Sequence, residues 1–219
     1  MITDKVLKQS RVMLVLWGLL LLSAIVAMFA GRWSLAFVAF STLALAIAPV
    51  FLASRLNLTL PLPFLVATTL FTFATVFMGE AFDFYEKVWW WDIALHGGSA
   101  VGFGLIGFLF VFMLFEGDRY AAPPAAIAFI AFCVAITVGT MWENFEYLMD
   151  LTFGLNMQKS GLQDTMGDLL VDSVGALFGA LSGYVFLKGH RTGVTTILIH
   201  QFIEMNKRLY RKSKDRLRK

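Results

Sequence analysis

The sequence predicts an all-α polytopic membrane bundle of about six spans, followed by a basic amphipathic C-terminal helix. Three observations carry this expectation. The 219 residues are 58% hydrophobic and only 15% charged, with a mean hydropathy of +0.73, whereas a soluble domain is about 45–50% apolar and about 25% charged. The apolar residues gather into six stretches, each near the roughly 20 residues that a spanning helix needs. None of these stretches alternates apolar and polar residues over about 10 positions, as the strands of a membrane barrel do. The same composition excludes a soluble globular enzyme, a disordered chain and a fibrous repeat.

Each span has its own boundary signals. Lys5, Lys8 and Arg11 precede the first, 12–30, which stops before Arg32. This run is longer than the core of a signal peptide. No small-x-small cleavage site follows it, so it is read as an uncleaved span. The second, 33–53, carries Pro49 near its end, and Leu60-Pro61-Leu62-Pro63 forms a turn before the third, 63–79. The fourth covers 92–115, Pro123-Pro124 open the fifth, 124–149, and the sixth covers 164–187. Together these make a single integral membrane domain, 1–190, with a tail at 191–219.

An even number of spans returns both ends to one side. All but Arg32, Lys87 and Lys159 of the 18 Lys and Arg then fall on that side, which the positive-inside rule identifies as the cytoplasm. A multi-pass protein of the cytoplasmic (inner) membrane with both termini inside is therefore expected. In the tail, Ile197, Ile199, Phe202, Ile203, Met205 and Leu209 form an apolar side ahead of the basic run Lys207 to Lys219. That pattern suits a helix resting on anionic headgroups and gives no separate reason to expect nucleic acid as a partner.

The acids are distributed the other way. Glu80, Asp83, Glu86, Asp92, Glu143, Glu146, Asp150, Asp164, Asp168 and Asp172 all fall on the outer side or in the outer ends of spans. Asp92 and His96 are i, i+4 at the start of the fourth span. Glu143, Glu146 and Asp150 are i, i+3, i+7 at the end of the fifth, and Asp164, Asp168 and Asp172 are i, i+4, i+8 at the start of the sixth. Each set shares one helical face. At about 1.5 Å rise per residue, Asp172 lies roughly 12 Å deeper than Asp164. Acids within a span are costly unless paired, hydrated or neutralised. The set can bind a divalent cation, share protons, or face water and take a cationic ligand. His96 adds a nitrogen ligand or a proton-transfer group.

The other features are chiefly structural. Gly98-x-x-x-Gly102 and Gly175-x-x-x-Gly179-x-x-x-Gly183 have the spacing that lets helix backbones approach. They predict that spans four and six pack closely, with His96 near Asp168 and Asp172. Trp89, Trp90, Trp91 and Trp142 fit an interfacial belt, and Trp142 also adjoins Glu143. Ser99 and Ser173 lie near the acids, although a serine in a span more often bonds its own backbone. Cys133 is the single cysteine, which excludes intrachain disulfides and Cys-based zinc sites. No phosphate-binding loop or nucleophile elbow is present.

The stretches WDIALHGGSAVGFG (91–104), WENFEYLMD (142–150) and DTMGDLLVDSVGALFG (164–179) resemble the YjdF-type inner-membrane proteins, a family of unknown function. More distantly they are similar to VanZ-like proteins. The VanZ-like pattern Asp-x-x-x-His is matched by Asp92 and His96. Its Glu-x-x-Gln corresponds to Glu143 and Glu146, and its Asp-x-x-x-Asn-x-x-Gly to Asp168, Asp172 and Gly175. The two departures, Glu146 and Asp172, both add negative charge and agree with the YjdF-type pattern. The resemblance implies a role in envelope lipid or cell-wall precursor chemistry.

Three functions suit these residues. The first is an enzyme, a hydrolase or transferase acting on a lipid headgroup or lipid-linked envelope precursor. His96 would act as acid, base or nucleophile, and His96, Glu143, Asp168 and Asp172 would hold one or more cations (Mg, Mn, Ca or Zn). Glu146, Asp150 and Asp92 would orient them, while Asp150, Asp164, Trp142 and Ser99 would line the substrate. The second is a cation or proton-coupled transporter, which also requires a polar path through the inner halves of the spans. The third is a non-catalytic binding or resistance module that shields an envelope lipid. Oligomeric state is left open.

Overall fold

The structure, a computed structural model, describes residues 11–115, 122–190 and 193–208. Among these residues it is helical without strands, and six helices are long and apolar enough to cross a membrane. The chain divides into two compact units, Met1–Trp91 and Asp92–Lys219.

In the first unit, α1 (Arg11–Phe29) and α2 (Trp33–Arg55) form a helical hairpin. Gly31, at φ +68°, closes α1: the Arg32 amide donates to the Ala27 carbonyl at 2.8 Å, and Gly31 donates to Met28 at 3.1 Å. This pair of bonds satisfies carbonyls that the end of a helix leaves open. The two helices bury mainly small residues, including Ala24 and Ala27 of α1 and Ala36, Ala39 and Ala46 of α2. Small side chains at the seam permit close packing, with Met13 and Leu20 of α1 buried among them and most other large side chains exposed. α3 (Leu62–Ala81) starts on Pro61 and widens to a π-helix over Phe73–Met78. A short α4 (Phe84–Lys87) leads to Trp90 and Trp91.

The second unit contains α5 (Trp91–Leu114), α6 (Pro124–Phe153), α7 (Leu162–Leu187) and α8 (Val194–Met205). Its three long helices share one plan, with buried stripes that step by three or four residues. α5 buries His96, Ala100, Gly104, Phe108 and Phe112. α6 buries Ile127, Ala131, Ala135 and Glu143. α7 buries Asp168, Asp172, Gly175, Gly179, Gly183 and Phe186. Each stripe is therefore ionisable at one end, small in the middle and bulky at the other end. Because α6 runs opposite to α5 and α7, the three ionisable ends meet. At the bulky end, Phe108 and Phe112 stack at 5.7 Å, and Phe186 meets each of them edge-on.

The observed bounds extend several expected spans by a few residues. The largest extension is in α6, which continues past 149 to Phe153 and ends on Gly154 at φ +65°. The extra turn keeps Asp150 in the helix. In the tail, α8 is amphipathic, but Ile199 is buried in the core of the unit, so only part of its apolar side is available to lipid. Lys207 pairs with Glu204. The rest of the expected basic end, from Leu209 onward, lies outside the described residues.

Candidate functional site

The three ionisable ends converge on the His96 ring. Nδ1 lies 3.3 Å from Oδ1 of Asp172 on α7. Nε2 lies 3.8 Å from Oδ1 of Asp92, one turn earlier on α5, and 3.9 Å from Oε1 of Glu143 on α6. Ligand-bearing atoms of Asp92, His96 and Asp168 all lie within 4.8 Å of one another. The group is shielded: Asp172 is 2% exposed, Glu143 3%, Asp168 5% and His96 9%. Asp172 Oδ1 faces the imidazole Nδ1, while its Oδ2 and the Glu143 oxygens meet no donor in hydrogen-bond geometry. The Thr165 hydroxyl faces Glu143 without closing one, and it is itself held by the Gln158 side-chain amide at 2.6 Å. Buried polar atoms are nearly always hydrogen-bonded, and the basic group that the ion-pair distances set against these carboxylates is the imidazole itself.

Glycines create this proximity. On α7 the acids Asp168 and Asp172 and the glycines Gly175, Gly179 and Gly183 continue along one buried face. A β-carbon at Gly175 would stand 2.6 Å from the Gly97 carbonyl oxygen, and one at Gly179 would stand 2.6 Å from that of Val101. The backbones of α5 and α7 therefore touch directly below His96, bringing the imidazole onto Asp172. The expected α7 glycine stripe has this role, but the α5 partner differs from the expectation. Gly98 and Gly102 face open space, while Gly97, Ala100 and Gly104 make the contact. The two sets lie on different sides of the same helix, and the buried side is the one that continues from His96.

On α6 the decisive small residue is Gly139. A β-carbon there would overlap Oδ2 of Asp172. Gly139 precedes Glu143 by one turn, so α6 offers bare backbone to one acid of the cluster and a carboxylate to the imidazole. Sequence reasoning did not single out Gly139. Its spacing of one turn from Glu143 is visible in the residue order, but only the approach of α7 gives that spacing a meaning.

The remaining candidates lie around this centre. Glu146 is half-buried, within electrostatic reach of Glu143, His96 and Asp92. Asp164 is half-buried in the first turn of α7 and interacts electrostatically with Glu143 and Asp168. Asp150 accepts the backbone amides of Met157 at 2.7 Å and Gln158 at 2.9 Å, which anchors the α6–α7 connection. The Ser99 hydroxyl donates to the His96 carbonyl at 2.8 Å, and that of Ser173 donates to Leu169 at 2.7 Å, so both follow the backbone-bonding pattern. Trp142 is exposed beside Phe145, with ring centroids 5.5 Å apart.

Residues 10–189 match the family described as "Predicted membrane protein (DUF2238)". This chain belongs to that family. The match includes every long helix and the whole His96 cluster, so the DUF2238 protein is an integral membrane protein whose family description names no activity. A 98-residue stretch is 32% identical to an uncharacterized protein of Thermotoga maritima, covering 45% of this chain and 50% of the relative. The chain thus spans about half the length of the curated relative it matches. No solved structure matches it.

Proposed function

We propose that this protein is a membrane-embedded enzyme, a hydrolase or transferase, that acts on the headgroup of a membrane amphiphile with a divalent cation held at the His96 cluster. The observation that supports the reading is the burial of Glu143, Asp168 and Asp172 around His96, with Asp172 Oδ2 and the Glu143 oxygens meeting no hydrogen-bond donor. In a membrane span such acids are costly and mark function. Asp92, His96 and Asp168 are the residues that would hold the ion, and a mixture of imidazole and carboxylate suits Mn or Zn. A cation bound there polarises a phosphoryl or acyl oxygen. Asp172, on Nδ1, fixes the imidazole tautomer as outer carboxylates do for metal-bound histidines. Glu143, near Nε2, is the carboxylate available to take a proton from the attacking water or hydroxyl.

The cluster lies in one half of the spanning helices, from Asp92 in the first turn of α5 to Asp172 ten residues into α7, and we assign that half to the outer leaflet of the cytoplasmic membrane from the Lys/Arg asymmetry. A transport path is less well supported. From Gly97 to Leu114 and from Ser173 to Leu187, α5 and α7 carry no Asp, Glu, Lys, Arg or His. The test is metal content and lipid turnover in purified protein and in membranes. The parent should retain Mn or Zn after dialysis, while His96→Ala and Asp168→Asn should lose it together with headgroup turnover. A parent without bound cation, or turnover unchanged in both variants at normal protein levels, would overturn the proposal.

A further inference from the structure

A groove of about 390 Å³ runs along the seam of α5 and α7 and starts beside the His96 cluster. Its floor is formed by Gly97 and Gly175, and its walls include Val101, Leu170, Val174 and Phe178. The groove follows from the backbone contact that builds the site. Where two helices touch through glycine, no side chain fills the angle between them, and a furrow is left on the outer side.

The α7 residues of the furrow form a stripe of their own. Leu170, Val174 and Phe178 step by four residues, next to the buried stripe of Asp168, Asp172 and Gly175. They face away from the protein, at 66%, 56% and 63% exposure. In a spanning helix that outer surface meets hydrocarbon, and a bare peptide segment could not satisfy its backbone there. No charged side chain lines the groove. Its upper end adjoins the site along the chain, although no cluster residue lines the groove itself: Gly97 follows His96, Val171 precedes Asp172, and Gly175 lies one turn further along. Phe178 lies roughly 9 Å along the helix from Asp172, so the groove leads from the cluster toward the bilayer interior.

We infer that this groove seats one acyl chain of a phospholipid whose headgroup reaches the His96 cluster. The inference rests on the proposed lipid-headgroup activity and specifies its substrate class. The glycine floor and the apolar walls of Val101, Leu170, Val174 and Phe178 offer no polar group, which suits a polymethylene chain.

The experiment uses the full chain reconstituted in phosphatidylglycerol vesicles doped with phosphatidylglycerol that carries an acyl-chain diazirine. After photolysis, labelled peptides are mapped by mass spectrometry. Labelling of 97–101 and 170–178 several-fold above that of α1 and α2 is expected. Val174→Trp and Leu170→Trp, both at exposed positions, should each abolish the excess while the general labelling of α1 and α2 persists. Uniform labelling of all lipid-facing helices, or an excess that survives both Trp variants, would overturn the inference. Unlabelled polyprenyl phosphate that displaces the label better than unlabelled phosphatidylglycerol would overturn the choice of phospholipid. Metal content measured on the same samples separates the two proposals. A cation-loaded protein with an unlabelled groove refutes the groove alone, and a labelled groove in a cation-free protein refutes the metal site alone.

Discussion

His96 is the residue on which the second unit converges, and its neighbours explain why it is buried. Asp172 Oδ2 and both Glu143 oxygens complete no hydrogen bond within the protein, while Asp172 Oδ1 faces Nδ1. Removing one partner from a buried polar group costs about 1–3 kcal/mol, so these acids should destabilise the cation-free protein. Glu143→Met, which puts an apolar side chain of similar length in place of the buried carboxylate, is therefore expected to raise the stability of chelator-treated protein by about 1–2 kcal/mol while weakening the proposed cation binding. A thermal scan with and without added Mn or Zn checks both effects. Gly139 leads to the opposite expectation. Its β-carbon site is occupied by the Asp172 carboxylate, and overpacking costs about 1–3 kcal/mol. Gly139→Ala should lower the melting temperature, and Gly139→Ala combined with Asp172→Ala should cost less than the sum of the single changes, because the two positions share one volume. The acids were legible in the sequence through their i, i+4 spacing. Gly139 was not, since only the approach of α7 makes a missing side chain there meaningful.

Among the helices, the α5–α7 crossing governs the site. Gly179→Val would drive a side chain into the Val101 carbonyl and the Gly104 backbone. A loss of about 1–3 kcal/mol is expected from such overpacking, together with lost cation binding as His96 moves off Asp172. Gly98→Ala and Gly102→Ala, which meet open space, should change stability by less than about 0.5 kcal/mol, as for other surface positions. Denaturation in detergent of the three variants side by side tests this contrast. The α6–α7 connection depends on Asp150, which accepts two backbone amides. Asp150→Ala should increase hydrogen exchange at Met157 and Gln158 and leave the cation site occupied. If the cation is lost while exchange at those amides is unchanged, Asp150 belongs to the site and not to its frame.

At the scale of the whole molecule, the six apolar helices among the described residues, the scarcity of charge and the family match define an integral membrane protein of the DUF2238 family. The sidedness proposed from Lys and Arg by the positive-inside rule has a direct check. In a Cys133→Ser background, Asn156→Cys should react with an impermeant maleimide added to intact cells, and Lys188→Cys should react only after the membrane is opened. The reverse pattern would invert the orientation.

Membership in the membrane class, the number of spans and the alignment of acids on single helix faces were all readable from residue order. Each depends on local quantities, namely the length of an apolar run and the 3.6-residue period of a helix. Which sector of α5 turns inward was not readable, because Gly98 and Gly102 offer the same small-residue spacing as the Gly97 and Gly104 side that makes the contact. Nor did spacing show that Asp150 anchors a connection while Asp172, on the next helix, closes on an imidazole. Those outcomes depend on how three helices rotate about their axes when packed. That rotation is decided by the burial of all three stripes together, from the Phe108, Phe112 and Phe186 cluster at one end to His96 at the other.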